Sequence, residues 1–441
     1  RSLFTAYLEV PERPGTDDGS DGERNRSFRN HSGRGEEYLF RERCPMESIR
    51  EIFRIGAGPS SSHTMGPKRA AGLFRERQHA AQSFRVTLYG SLAATGKGHL
   101  TDAAITQALA PSPVELVWRP EVILPEHPNG MQFEALDGSG QREGEPWVVF
   151  SIGGGALRIP GEVRESKEVY PHRSLAEIIR WCEEAGLPLW RYVREYEPRE
   201  IWDYLGEVWS VMQRALHRGI KAEGQLPGGL RLERRARTFY LKAKRSGVLF
   251  QRNGILAAYA LAVSEENASG GEIVTAPTCG SSGVVPAVLT FLCDYAEAQE
   301  DDIIKALATA GLIGVLVKTN ASISGAQVGC QGEVGTASAM AAAAAAQLMG
   351  GELAQIEYAA EMGMEHHLGL TCDPVAGLVQ IPCIERNAFA ATRAMDCADY
   401  SLLSDGRHRI SFDEVVETMR QTGLDMNSSY RETSMGGLAR V

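Results

Sequence analysis

Three cysteines in the last third of the chain sit in turns marked by glycine or proline: Gly329-Cys330-Gln331-Gly332-Glu333, Leu370-Thr371-Cys372-Asp373-Pro374 and Ile381-Pro382-Cys383-Ile384-Glu385. Cys330 and Cys372 are 42 positions apart and Cys383 follows 11 later. That spacing excludes a helix-local cluster and a zinc ribbon of close cysteine pairs. It suggests a site that only the folded chain assembles. An iron–sulfur cubane held by four cysteines transfers electrons. Held by three, it keeps one iron corner open to act as a Lewis acid on a substrate oxygen, which is dehydratase chemistry. The bland alternative is three buried thiols behaving as small apolar residues.

Two loops rich in hydroxyls accompany the cysteines. Gly58-Pro59-Ser60-Ser61-Ser62-His63-Thr64-Met65-Gly66-Pro67 places Ser60, Ser61, Ser62, His63 and Thr64 just ahead of a helix that Pro67 opens. Thr275-Ala276-Pro277-Thr278-Cys279-Gly280-Ser281-Ser282-Gly283 precedes a second helix beginning near Val284. Hydroxyls and backbone N–H groups at a helix N-terminus suit a carboxylate. One Ser or Thr would suffice as a cap, and the first loop has more than a cap needs.

These segments, with Ser324-Gly325-Ala326-Gln327-Val328 ahead of Gly329 and with Cys372-Asp373-Pro374-Val375-Ala376-Gly377 through Cys383-Ile384-Glu385-Arg386-Asn387, resemble those of the bacterial iron–sulfur L-serine dehydratases of the single-chain type. The likeness runs from about Met46 to the end of the chain. It implies that Cys330, Cys372 and Cys383 carry a [4Fe-4S] cluster and that L-serine is deaminated to pyruvate and ammonia without pyridoxal phosphate. In such a reaction an α-proton must leave while hydroxide is expelled. His63, the one histidine of its loop, is the expected base. Ser60, Ser61, Ser62, Thr64, Thr278, Ser281 and Ser282 are the expected substrate ligands, with Asn387 assisting. Asn320, Ser322 and Ser324 read equally as cluster-orienting groups or as turn chemistry, and of His366 and His367 at most one faces the cysteines. Some single-chain relatives end in a further cysteine that closes the fourth iron position; here the last residues are Gly437-Leu438-Ala439-Arg440-Val441. Cys279 is a weaker candidate for that position. Cys44, Cys182, Cys293 and Cys397 are expected to be inert. Other readings are a cluster-dependent lyase of a hydroxy acid or of cysteine, and a non-enzymatic iron or redox sensor.

What positions these groups is an α+β N-terminal domain followed by an all-α catalytic domain. Residues 1–45, rich in Arg, Glu, Gly, Ser and Asp, read as an extension outside the fold. Residues 46–172 form the α+β domain, which the resemblance makes regulatory or substrate-gating, with strands at 84–89, 114–118, 131–136 and 147–152 and a helix at 100–109. The Gly153-Gly154-Gly155 run reads as a tight turn. Residues 173–200 form linking helices, with the charged run 194–200 exposed. Residues 201–441 form the helical domain, with helices at 202–218, 255–264, 284–296, 302–318, 336–348 and 353–366.

Composition limits the partners. At 441 residues, 43% hydrophobic and 23% charged, the chain is globular with two domains or a little more. A net charge of −10 argues against nucleic acid or an anionic membrane surface. The longest apolar run, 337–349, is shorter than the roughly 20 residues of a bilayer span and reads as an interior helix. Eight cysteines without paired spacing do not describe a secreted disulfide scaffold. A reducing cytoplasm and a homodimer are the expected setting.

Overall fold

The computed structural model describes residues 45–79, 81–161, 168–432 and 435–441. Cys44 and the rest of the expected extension up to that point lie outside the described residues.

The chain enters through Met46, Ile49, Ile52 and Phe53, which are fully buried in the helical core and not in the sheet domain. β1 (Ile55–Ala57) then pairs antiparallel with a strand from the other end of the fold, β7 (Glu272–Val274), with Ile55 opposite Val274. The first twelve or so described residues staple the helical body.

A π-helical turn over Ser61–Met65 runs into α1 (Gly66–Arg77), with Pro67 in its first turn as expected. The five-stranded sheet comprises β2 (Ser83–Tyr89), β3 (Val114–Arg119), β4 (Gly130–Leu136), β5 (Arg142–Ser151) and β6 (Leu157–Arg158). Its order is β3-β2-β4-β5-β6, parallel only between β2 and β3. That pair needs a crossover, supplied by α2 (Gly90–Thr95) and α3 (Thr101–Leu109). Alternation in β2 turns Phe84, Val86 and Leu88 inward onto Phe74 of α1 and Phe133 of β4. At roughly 1.5–3 kcal/mol per buried large apolar side chain, this layer is a core in its own right. Gly153, Gly154 and Gly155 all have positive φ (100°, 56° and 77°), making the turn between β5 and β6 that only glycine enters without strain. A Cβ on Gly153 would lie 3.2 Å from Cβ of Ser324, so this turn packs on the helical body.

α4 (Leu175–Ala185) and α5 (Leu189–Tyr196) follow, the first started by a Ser174–Glu177 capping box. The charged run 194–200 is not uniformly exposed. Glu197 is buried, its carboxylate accepting from the Ser48 hydroxyl, the Ile49 amide and the Tyr170 hydroxyl. Three donors offset the cost of burying that charge.

The helical body continues with α6 (Glu200–Lys221), α7 (Ala236–Lys244), α8 (Val248–Ala268), α9 (Val284–Ala296), α10 (Glu300–Asn320) and the short α11 (Gly325–Val328). It ends with α12 (Val334–Leu348), α13 (Leu353–Glu365), α14 (Cys383–Leu403) and α15 (Phe412–Asp425). α12 is the axle: from Val334 to Ala346 every residue is buried, and α9, α10, α13 and α14 pack around it. Alanine makes this possible, because small side chains let backbones approach. A Cβ on Gly363 of α13 would come within 2.8 Å of the Ala339 backbone. Glu300, Asp301 and Asp302 at the start of α10 and Lys318 near its end complement the helix dipole. Among the described residues one helix, spanning Cys279–Ala296, has the length and apolarity to cross a membrane, and two thirds of it is buried inside the fold.

Candidate active site

Two of the three cysteines come together with Glu333, and the third lies nearby. The thiols of Cys330 and Cys372 and the Glu333 carboxylate offer ligand atoms within 4.8 Å of one another. Cys330 and Cys372 are hydrogen-bonded, and Cys383 lies close enough to feel the charge of Cys330. Cys383 is half-buried at the first position of α14, after Pro382, and not in a free turn. Two glycines shape the cradle. Gly325 has no room for a side chain, since a Cβ there would lie 2.7 Å from Oε2 of Glu333 and 3.1 Å from Sγ of Cys372. Gly329 turns the chain at φ 74° directly before Cys330, against the Leu370 carbonyl.

Electrostatics there favours thiolate at Cys330 alone: the interaction with Cys330, then burial, pushes the Cys372 thiol well above its usual range, and burial, then the Cys330 charge, does the same to Cys383. The hydrogen bond from Cys372, and then the Arg386 guanidinium, bring the Cys330 thiol down to about 6 against the pull of burial. Arg386 is held by its Nη1 donating to the Thr371 carbonyl at 2.7 Å, and the charges of all three cysteines reinforce its own. Burial, then the charge on Cys330, pushes the Glu333 carboxyl well above the usual range. The donor set therefore fits a metal centre that takes soft thiolate ligands.

His63 is fully buried in the π-helical turn. Its Nε2 is 3.1 Å from Oγ of Ser91, and that hydroxyl donates onward to the Glu432 carbonyl at 2.7 Å. The Ser91 proton is thus committed, so Nε2 carries the hydrogen and Nδ1 the lone pair. Nδ1 has no hydrogen-bond partner, and Oε1 of Glu432 lies 3.3 Å away. Burial lowers the imidazole to about 4 and raises the Glu432 carboxyl to about 6. His99 lies beside His63, ring centroids 4.5 Å apart and the ring planes tilted by 32°.

Glu432 links the cysteine site to His63. Its amide donates to the Cys372 carbonyl at 2.7 Å while its side chain faces His63. It does so at φ 57°, a region that residues with a Cβ occupy rarely.

The remaining expected ligands divide. Ser60 and Thr64 are occupied: Ser60 Oγ caps the His63 amide, and Thr64 Oγ1 accepts from the Ser60 amide while donating to the His99 carbonyl. Ser61 and Ser62 are buried in the same turn. Thr278 and Ser281 bond each other at 3.1 Å, and Thr278 also reaches Glu333 at the cysteine site. Ser282 Oγ is buried without a partner. Asn387 bridges two segments. Its Oδ1 accepts from the Gly283 amide, and its Nδ2 donates to the Gly280 and Cys383 carbonyls. With both ends of its amide bonded to backbone, it ties the second hydroxyl loop to the start of α14.

A family profile described as "Serine dehydratase alpha chain" matches residues 76–439. This chain belongs to that family. Among curated members, the L-serine dehydratase of Streptomyces coelicolor is 42% identical, the match covering 89% of this chain and 98% of the relative. L-serine dehydratase 1 of Escherichia coli is also 42% identical, over 89% of this chain and 99% of its own length. The Helicobacter pylori L-serine dehydratase is 35% identical over 89% and 98%.

In this serine dehydratase family member, several site residues carry no signal that sequence reasoning used. Glu333 and Arg386 stand inside the cysteine motifs, where their proximity to the thiols was readable. Ser91, His99 and Glu432 reach His63 from distant segments and were not. His127 Nε2, both polar atoms of the Asn129 side chain, Ser151 Oγ and Ser324 Oγ are buried without hydrogen-bond partners. Asn129 and Ser151 are neighbours through a 3.0 Å backbone hydrogen bond, and a Cβ on Gly66 would strike the Ser151 hydroxyl. So many orphaned polar atoms at one junction mark a place for a polar guest. Asn320 donates to the distant Arg173 carbonyl, and Ser322 is engaged locally by the Gln327 side chain. His367 is buried against the Gly363 carbonyl at 2.8 Å, and His366 is exposed. Cys279 Sγ meets Met65 Sδ at 3.3 Å. Burial raises Cys182 and Cys293 to about 11 and Cys397 to about 12, so these thiols stay protonated near neutrality.

Proposed function

We propose that the chain is an L-serine ammonia-lyase that forms pyruvate and ammonia, with Cys330, Cys372 and Cys383 holding a [4Fe-4S] cluster. The observation that carries this reading is the pairing of Cys330 and Cys372 beside Arg386, with Cys383 nearby, in a chain about 42% identical to L-serine dehydratases over most of its length. When bound through three thiolates, such a cluster supplies Lewis-acid chemistry for departure of the hydroxyl.

The chain's own residues do the rest. His63, neutral at pH 7, takes the α-proton on Nδ1, and the Glu432 carboxylate stabilises the imidazolium formed. His127, Asn129, Ser151 and Ser324 bind the carboxylate and ammonium of the substrate through the polar atoms left open in the folded chain. Ser60 and Thr64 act by shaping the turn that presents His63. Loss of the α-proton and of hydroxide leaves an enamine, which tautomerises and hydrolyses without further groups. Seven described cysteines, all free thiols, suit a reducing cytoplasm.

The test is a product assay on the anaerobically reconstituted protein with L-serine, L-threonine, L-cysteine and malate. Preference for L-serine with equimolar pyruvate and ammonia supports the assignment. Sulfide from cysteine or fumarate from malate as the dominant product contradicts it. Iron binding without turnover of any of the four points to a sensor.

A further inference from the structure

Away from the cysteines, α6, α7, α8 and α9 line an open-mouthed cavity of about 400 Å³. Tyr259 and Thr290 lie buried at its base, 3% and 6% exposed. Tyr240 and Tyr295 supply further aromatic surface, and Lys244 and Asp294 stand at the open rim. The Tyr240 and Tyr259 rings stack with centroids 5.9 Å apart, and Nζ of Lys244 lies 5.0 Å from the centre of the Tyr240 ring. Neither Glu333 nor any of the three cysteines lines it.

Two features call for a guest. Thr290 Oγ1 is buried with no hydrogen-bond partner, not even the carbonyl one turn earlier that helical threonines commonly use. The Tyr259 hydroxyl donates to Oδ2 of Asp294, which stands one turn along α9 from Thr290. The rim charges then define the guest. A simple anion would be repelled by Asp294 and a simple cation by Lys244, whereas one molecule carrying both charges satisfies each. Tyrosine walls and a volume several times that of serine select a large planar side chain.

We propose that this cavity binds a free aromatic α-amino acid. Its carboxylate pairs with Lys244, its ammonium with Asp294 Oδ1 and Thr290 Oγ1, and its ring lies among Tyr240, Tyr259 and Tyr295. The site is connected to the proposed active site by covalent structure. Thr290 and Asp294 ride on α9, which begins at Val284 directly after the Thr278–Gly283 loop, and the carbonyl of Ala260, next to Tyr259, abuts Gly283.

Equilibrium binding of L-phenylalanine to the full-length reconstituted protein tests this, with phenethylamine and 3-phenylpropionate as analogues lacking one charge. Saturable binding of L-phenylalanine is expected, with each analogue at least about tenfold weaker, and with Thr290→Val and Asp294→Asn each weakening it about tenfold. Asp294→Asn keeps an acceptor for Tyr259, so its fold is checked by unchanged thermal unfolding. No saturable binding, binding untouched by either variant, or equal binding of the one-charge analogues would overturn the proposal. A crystal structure with ordered water alone on Thr290 in the presence of saturating L-phenylalanine would do the same. Serine turnover in the same samples is a separate readout, so failure here leaves the lyase assignment standing and failure there leaves this site.

Discussion

Nδ1 of His63 and Oε1 of Glu432 lie 3.3 Å apart although 369 positions separate them in the chain. Because the Glu432 amide also holds the Cys372 carbonyl, one residue near the C-terminal end aligns the proposed base with the cysteine site. Glu432→Gln keeps the shape and removes the charge. Turnover should fall about 10- to 100-fold with little change in KM, the charge being needed only once the imidazolium forms. Unchanged kcat would show that the contact is structural.

His63→Ala should lower kcat by about 10²- to 10⁴-fold, the usual worth of a positioned general base. Iron content and the visible absorbance of the centre should match the parent protein. A loss of iron in this variant would assign His63 a structural part.

Gly325→Ala addresses the cradle. The added methyl has no space between Glu333 and Cys372. The variant should fold with native far-ultraviolet circular dichroism, yet retain less iron than the parent after gel filtration. Equal retention would show that the site tolerates the displacement.

Asn387→Ala should cost stability before chemistry. It strips a hydrogen bond from three backbone groups, each worth about 1–3 kcal/mol if left unsatisfied in the interior. The urea midpoint of the whole protein should drop, and restored stability in Asn387→Asp is not expected, because only one of the three bonds survives. A variant with parental stability and impaired substrate binding would make Asn387 a substrate ligand.

Acid sensitivity follows from His99 and His127, which burial lowers to about 3. Below about pH 6.5 the unfolded chain takes up protons that these buried rings do not, so their contribution to stability is present above 6.5 and lost progressively toward 3. Glu361, raised to about 8 by burial, acts with the opposite sign, favouring the folded state below its own pKa. The informative measurement is therefore a difference: His99→Asn should flatten the fall in urea midpoint between pH 7 and pH 5. An unchanged slope would contradict the assignment.

How much was legible follows the range of the interactions involved. α9, α12 and α13 are read almost to the residue, because an apolar run bounded by glycine or a cap needs no distant information. α14 was missed: its motif-bearing start, Pro382-Cys383, reads as a turn, and its outer face carries polar residues. α15 was missed despite a readable Ser411–Glu414 capping box. The burial of Glu197 was invisible because its donors, Ser48, Ile49 and Tyr170, come from other segments. Likewise the cysteine motifs announced themselves locally, whereas Glu432 acquires meaning only when the fold brings the tail to His63.

The most direct measurement is L-serine-dependent pyruvate formation by the anaerobically reconstituted chain, set beside Cys330→Ser, Cys372→Ser and Cys383→Ser prepared identically. The parent should bind iron and sulfide and release pyruvate and ammonia in equal amounts, and every variant should lose both the centre and the activity. Full turnover by Cys383→Ser, or by iron-free protein, would contradict the account.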